Sequence, residues 1–212
     1  MVMPPLSARA RTRVTRMCAF AVAMYRESVT WQPMSLAIET ERLTLRLRDE
    51  RDAAWYRELI AERGEETPTL EEATTRLARF RDLTMEIGIG ALAICRRAET
   101  DVIGYCALVV GRCSLDEPEI AYELLRRFHG HGYATEAAAA LVAAAAATGR
   151  QRLWSTVAPW NAASLRVLEK LGFRREGTLR EDCIVDGVVS DSWVYGLLRR
   201  EWRTPSEPGP GH

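Results

Sequence analysis

Along the 212-residue chain the spacing of apolar and polar positions changes period several times, and each change marks an element. Arg42-Leu43-Thr44-Leu45-Arg46-Leu47-Arg48 alternates residue by residue, as a strand with one buried face must. Asp49 follows as a helix cap, and the apolar positions Ala53, Ala54, Tyr56, Leu59 and Ile60 predict a helix to about Arg63. Thr69, with Glu72 three residues on, has the form of a capping box and opens a second helix to about Leu83. Ile89 to Arg96 and Val102 to Val110 are apolar runs parted by a charged turn, the signature of an antiparallel hairpin. Glu119 to Leu124 is another strand. The alanine-rich stretch Ala134 to Thr148 has high helix propensity, Gly149 can close it, and Leu153 to Val157 returns as a strand. Strand, helix and strand in that order predict a right-handed parallel crossover. A helix from about Ala162 to Leu171, ended by Gly172, precedes a closing hairpin of Phe173 to Cys183 and Ser190 to Leu198 around Asp186-Gly187. The sum is a mixed sheet flanked by helices, with no internal repeat or linker.

Composition narrows the function classes. With 47% hydrophobic and 27% charged residues the chain is ordinary globular material, and its formal charge of zero offers no global field for nucleic acid. Lys170 is the only lysine, which reads as a compositional bias toward arginine. Cys18, Cys95, Cys106, Cys113 and Cys183 form no C-x-x-C pair and sit mostly in apolar surroundings, so packed, reduced thiols and a cytoplasmic compartment are expected. The three histidines make no metal pattern, and no metal is expected.

The ends differ from the middle. Residues 1–33 carry five arginines and one acid, and Met17 to Tyr25 is an apolar run too short to span a bilayer. They read as an extension upstream of the true start or as a loosely held arm, ahead of a domain at 34–203. Residues 204–212 form a Pro/Gly-rich tail without core-forming positions. No membrane partner is expected.

The chemistry concentrates at Arg127-Phe128-His129-Gly130-His131-Gly132-Tyr133-Ala134-Thr135-Glu136, between a strand and a helix. Glycines one residue apart let backbone N–H groups approach an anion unobstructed, and the helix start adds its own free N–H groups. A diphosphate would fit; a simple tight turn is the plainer reading. Neither the Rossmann glycine pattern nor a G-K-[ST] ending is present.

Three motifs in order make residues 34–203 resemble the GNAT superfamily of acetyl-CoA-dependent N-acetyltransferases, and within it the ribosomal-protein-alanine N-acetyltransferase group. They are Glu119-Ile120-Ala121-Tyr122-Glu123-Leu124, then Arg127-x-x-Gly130-x-Gly132-x-Ala134, then Asn161-Ala162-Ala163-Ser164 with Glu169-Lys170-Leu171-Gly172-Phe173, supported by Glu41-Arg42-Leu43-Thr44-Leu45-Arg46. The resemblance implies a mixed, mostly antiparallel α/β sheet of about six or seven strands with about four helices, the parallel crossover lying at the cofactor site. It implies acetyl-CoA as co-substrate and an amine acceptor, either a protein N-terminus or a small molecule, in a monomer or homodimer.

Carried onto this chain, the resemblance assigns the pyrophosphate to His129, Gly130, His131, Gly132, Tyr133, Ala134 and Thr135 after Arg127, and the pantetheine amides to Leu124, Leu125 and Arg126. An N–H near Leu124 or Leu125 would polarise the thioester carbonyl. Glu119 and Glu123 are candidate bases on one strand face, each equally readable as an ion-pair partner, with a water relay as the alternative. Relatives carry a tyrosine seven residues after the asparagine, where this chain has Leu168. Ser164 is the substitute donor to the departing thiolate and Asn161 a cofactor-side residue, although both also suit helix capping. Tyr105, Tyr122 and Trp160 are candidate acceptor walls. An acyl-CoA sensor without turnover is the rival reading.

Overall fold

The computed structural model describes residues 31–202 apart from 100, 113 and 186. A short strand β1 (Ala37–Glu39) pairs antiparallel with β2 (Leu43–Leu47), the alternating segment. Leu43 and Leu45 are fully buried, whereas Arg46 turns to the opposite face and binds Asp52 through Nη2 at 2.6 Å and Nη1 at 2.9 Å. That pinned Asp52 also accepts the Asp49 N–H at 3.0 Å, so Asp49 caps a 3-10 turn and the helix proper, α1 (Ala53–Glu62), begins four residues later.

Thr69 and Glu72 form the expected capping box at the start of α2 (Leu70–Ile87). This helix outruns its expected end at Leu83. The Thr84 hydroxyl is satisfied within the helix by the Phe80 carbonyl at 2.7 Å, and the left-handed Gly88 (φ 75°) supplies the stop.

The next strands are β3 (Ala91–Arg96), β4 (Val102–Val109) and β5 (Glu119–Leu124), followed by α3 (Tyr133–Ala147), β6 (Arg152–Val157), α4 (Ala162–Lys170), β7 (Arg174–Val185) and β8 (Val188–Leu198). Among the described residues one sheet of eight strands results, in the order β1-β2-β3-β4-β5-β6-β8-β7; β1 takes it past the expected count. Among the described residues only β5 and β6 run parallel, joined by α3 as the strand-helix-strand order requires.

Two apolar layers lie on the two faces. On one, Ala137, Ala138, Leu141, Val142 and Ala145 of α3 cover Leu43, Leu45, Ile120 and Tyr122, and the alanines let the helix axis lie close to the sheet. On the other, Ala53, Tyr56, Ile60, Ala73 and Leu77 join α1 to α2.

Trp31 and Gln32 are held to the body, Gln32 N–H by the Thr148 carbonyl at 3.1 Å and the Trp31 indole by Asp116. The arginine-rich segment to residue 30, Cys18, Cys113 and the C-terminal tail lie outside the described residues. Cys95, Cys106 and Cys183 carry free thiols, and among the described residues no helix is long and apolar enough to cross a membrane.

Candidate active site

The parallel pair at the sheet centre is barely a pair. β5 and β6 share a single register contact, Glu119 opposite Trp154, with the Trp154 N–H on the Pro118 carbonyl at 3.1 Å. Past that point side chains replace the ladder. Thr156 donates its N–H to Glu119 Oε1 at 2.7 Å and its hydroxyl to the same oxygen, and the Ser155 hydroxyl reaches the Ile120 carbonyl at 3.4 Å. The strands therefore diverge toward the C-terminal end of β5.

Leu125 N–H bonds to the Ile103 carbonyl, so the antiparallel alternation with β4 turns the amides of Tyr122 and Leu124 toward this gap. Of Leu124, Leu125 and Arg126, only Leu124 keeps its N–H on the open side. The Leu125 N–H is committed to Ile103, and the Arg126 N–H goes to Glu62 Oε2 at 2.8 Å. The expected three-residue amide track is thus reduced, because α1 comes close enough to take one amide and β4 another. The Leu124 carbonyl meets His129 Nε2 at 2.9 Å.

At the mouth of the gap lies the glycine turn. Gly130 and Gly132 have φ of 82° and 81°, left-handed values that favour glycine at both positions. Nothing lies within 4 Å of where a Gly130 side chain would start. Glu136 N–H closes onto the Gly132 carbonyl, which leaves the amides of Tyr133, Ala134 and Thr135 as the helix's orphan donors beside the turn. These are the atoms a diphosphate needs.

Arg42, 89 residues before His131, buttresses this turn, a role that no local spacing announces. Its Nη1 donates to the His131 carbonyl at 3.0 Å, its Nε to Glu136 Oε2 at 2.7 Å, and its guanidinium lies over the Tyr133 ring. Arg127 is exposed and paired with Glu58 of α1, so its side chain tethers a helix instead of entering the turn.

On the α3 face, Asn161 caps α4 by accepting the Ser164 N–H at 3.1 Å. Ser164 is buried, and its Oγ lies 3.0 Å from the Tyr122 hydroxyl. Burial raises Tyr122 above the ordinary phenol range, against the opposing Ser164 hydrogen bond, so the phenol stays protonated and can donate to the serine. Leu168, where relatives carry tyrosine, is fully buried in the core. Tyr122 is therefore not an acceptor wall beside Tyr105: the two rings leave opposite faces of the sheet. Trp160 is 55% exposed at a loop.

The two glutamates of β5 do not converge. Glu119 is absorbed into the β5–β6 junction, whereas Glu123 faces α1, where Arg63 Nε holds both its oxygens at 2.9 and 3.0 Å and Nη2 adds a further contact. Burial lowers the Arg63 guanidinium, but the hydrogen bonds and charge of Glu123 outweigh it and hold the group above its ordinary value. Tyr105, directly across the ladder from Glu123, is pushed up to about 12, first by burial and then by that carboxylate. Among the described residues no cluster of His, Cys, Asp or Glu could hold a metal ion.

Residues 42–174 match the family model of the acetyltransferase (GNAT) domain. The uncharacterized N-acetyltransferase p20 of Bacillus licheniformis is 29% identical over 171 residues, covering 77% of this chain and 96% of the relative. The fold is shared with the ribosomal-protein-S5-alanine acetyltransferase of Vibrio fischeri (TM-score 0.69, 20% identity, 80% of this chain and all of the other). It is also shared with RimL, a ribosomal L7/L12 alpha-N-protein acetyltransferase solved with coenzyme A (TM-score 0.67, 18% identity, 79% and 98%).

Proposed function

The chain belongs to the GNAT acetyltransferase family and is an acetyl-CoA-dependent acyltransferase; we propose that its acceptor is a primary amine, either an N-terminal amine of a protein or a small-molecule amine. The observation that carries this reading is the divergence of β5 from β6, with a glycine turn and a helix N-terminus at its mouth. A thioester arm threaded along that gap would present its carbonyl near Leu124, whose N–H has no strand partner on that side.

The residues divide the work as follows. His129 to Thr135 hold the diphosphate through backbone N–H groups and the helix start. The Leu124 N–H polarises the carbonyl as negative charge develops on its oxygen. Ser164 donates a hydrogen bond from its hydroxyl to the departing thiolate while its oxygen is held by the Tyr122 hydroxyl, so a serine-phenol pair, both members keeping their protons, stands in for the family's tyrosine. Glu123, oriented by Arg63, takes the amine's proton directly or through one water. Glu119 holds the strands apart and so positions the donor. Asn161 acts through Ser164, whose backbone it fixes.

The ribosomal acceptors of the structural neighbours support a protein N-terminus as the first candidate. The test follows free thiol release from acetyl-CoA against N-terminal peptides and small amines, with mass spectrometry of the acceptor. Stoichiometric acetyl-amine formation with either class is the expected result. Tight coenzyme A binding with no thiol release across both classes would reject transfer in favour of an acyl-CoA sensor.

A further inference from the structure

Arg48, just past β2, is a buried cation without a carboxylate. It is only 7% exposed, and its Nε has no hydrogen-bond partner. Its Cζ lies 5.5 Å from the Tyr56 ring centroid and 5.2 Å from those of Phe80 and Tyr105, so α1, α2 and β4 each give one aromatic wall. Phe80 is 46% exposed, which leaves the cage open toward solvent on the α2 side.

Every nearby carboxylate is already engaged. Asp52 is held by Arg46, by the Trp55 indole at 2.8 Å and by the Asp49 N–H. Glu123 and Glu65 are both on Arg63. Burial and the neighbouring Arg63 depress the Arg48 guanidinium below its ordinary value, the signature of a charge taken from water without full return. Aromatic faces offset part of that cost, but they leave the planar N–H fork unfilled.

The place of this cation matters. It stands over Tyr105, and Tyr105 is the cross-strand partner of Glu123, the residue assigned to the amine's proton. A ligand spanning from Glu123 across one tyrosine ring would reach the fork. We propose that Arg48 is the anion-recognising residue of the acceptor site, and that the acceptor amine carries a carboxylate a few bonds away which the guanidinium takes as its missing partner. This rests on the amine-acetylating reading above and deepens it by naming the acceptor's chemistry. The carboxylate's two coplanar oxygens match the fork, whereas a neutral amide offers one acceptor oxygen and would leave the charge uncompensated.

Two matched arms distinguish the sources of that carboxylate: a free amino acid against its amide, and peptides beginning Ala-Asp against Ala-Asn. The kcat/KM ratio of acid to amide is measured for the wild type, Arg48→Met and Arg48→Lys. In at least one arm the wild type should favour the acid by about tenfold to a hundredfold, mostly through KM, as for a charge-assisted contact. The ratio should fall to about one in Arg48→Met and lie between in Arg48→Lys, which keeps the charge without the fork. Thermal midpoints supply an independent readout. A recognition role leaves Arg48→Met as stable as the wild type or more so, whereas a purely structural role lowers it. Arg48→Lys keeps the test available should the methionine variant not fold.

No acid preference in either arm, or a preference that survives in Arg48→Met, overturns the proposal. Calorimetric titration of the coenzyme A complex with the N-acetylated acid and amide products separates it from the parent reading. Acid-selective binding lost in Arg48→Met, with no thiol released from any amine, rejects transfer and keeps the anion site. Equal binding of acid and amide rejects the site itself.

Discussion

The proposed donor half and the proposed acceptor half of this molecule are built from different material. Around the glycine turn the groups offered to a ligand are backbone amides, fixed by two left-handed glycines and the start of α3. Around Arg48, Arg63, Tyr105 and Glu123 they are side chains brought from β2, α1, β4 and β5. A backbone site serves any sequence that keeps the turn, and so suits an invariant ligand such as a diphosphate. A side-chain site can be rewritten one residue at a time, and so suits the variable acceptor.

The sharpest test of that contrast is at Gly130. Valine there must adopt a left-handed backbone that costs a β-branched residue about 1–3 kcal/mol, and its side chain stands in the path of the anion. Coenzyme A affinity should fall by about a hundredfold by calorimetry; an unchanged Kd would remove the turn from the donor site. Glu123→Gln should do the reverse, lowering kcat/KM by about a hundredfold while coenzyme A affinity holds. A normal rate in this variant would move proton removal to water alone.

Ser164→Ala should lower kcat by about tenfold with unaltered coenzyme A binding, the loss of one hydrogen bond to a charged group. Tyr122→Phe should lower it less, and the double variant should be no worse than Ser164→Ala, because the phenol acts through the serine. Additive losses would show that the two hydroxyls act independently.

The smallest effect is expected at Glu136, which links the turn to Thr40 and Arg42. Burial raises this carboxyl, yet hydrogen bonds from Thr40 and Arg42 outweigh it and hold the group below its ordinary value. Its stabilisation is therefore complete at neutral pH and disappears as pH falls through that depressed pKa. Glu136→Gln should cost about 1 kcal/mol near pH 7 in denaturant titrations, and the deficit should close in acid.

The same contrast explains what could be read in advance. Periodicity and capping residues located each helix and nearly every strand, because these signals lie within a few residues of one another: Thr69 with Glu72 is one case, Gly172 after α4 another. The strand β1 gives no sequence signal, because the three residues Ala-Ile-Glu carry too little period. No local signal marks Arg63 as the partner of Glu123, because sixty positions separate them and the docking of α1 on β4 brings them together. Tyr122 and Ser164 each carry a sequence signal, but their hydrogen bond spans 42 positions and depends on how α4 seats against the sheet.

By itself, then, the sequence determined the order of elements, the parallel crossover and the glycine turn with its helix start, since backbone conformation follows local residue type. Only the tertiary structure decided that Glu119 would be spent holding two strands apart, that Leu124 alone of three residues would keep a free amide, and that Arg48 would be buried without a carboxylate. Each of those outcomes turns on which distant group arrives first to satisfy a buried donor or charge, and that competition is settled by packing.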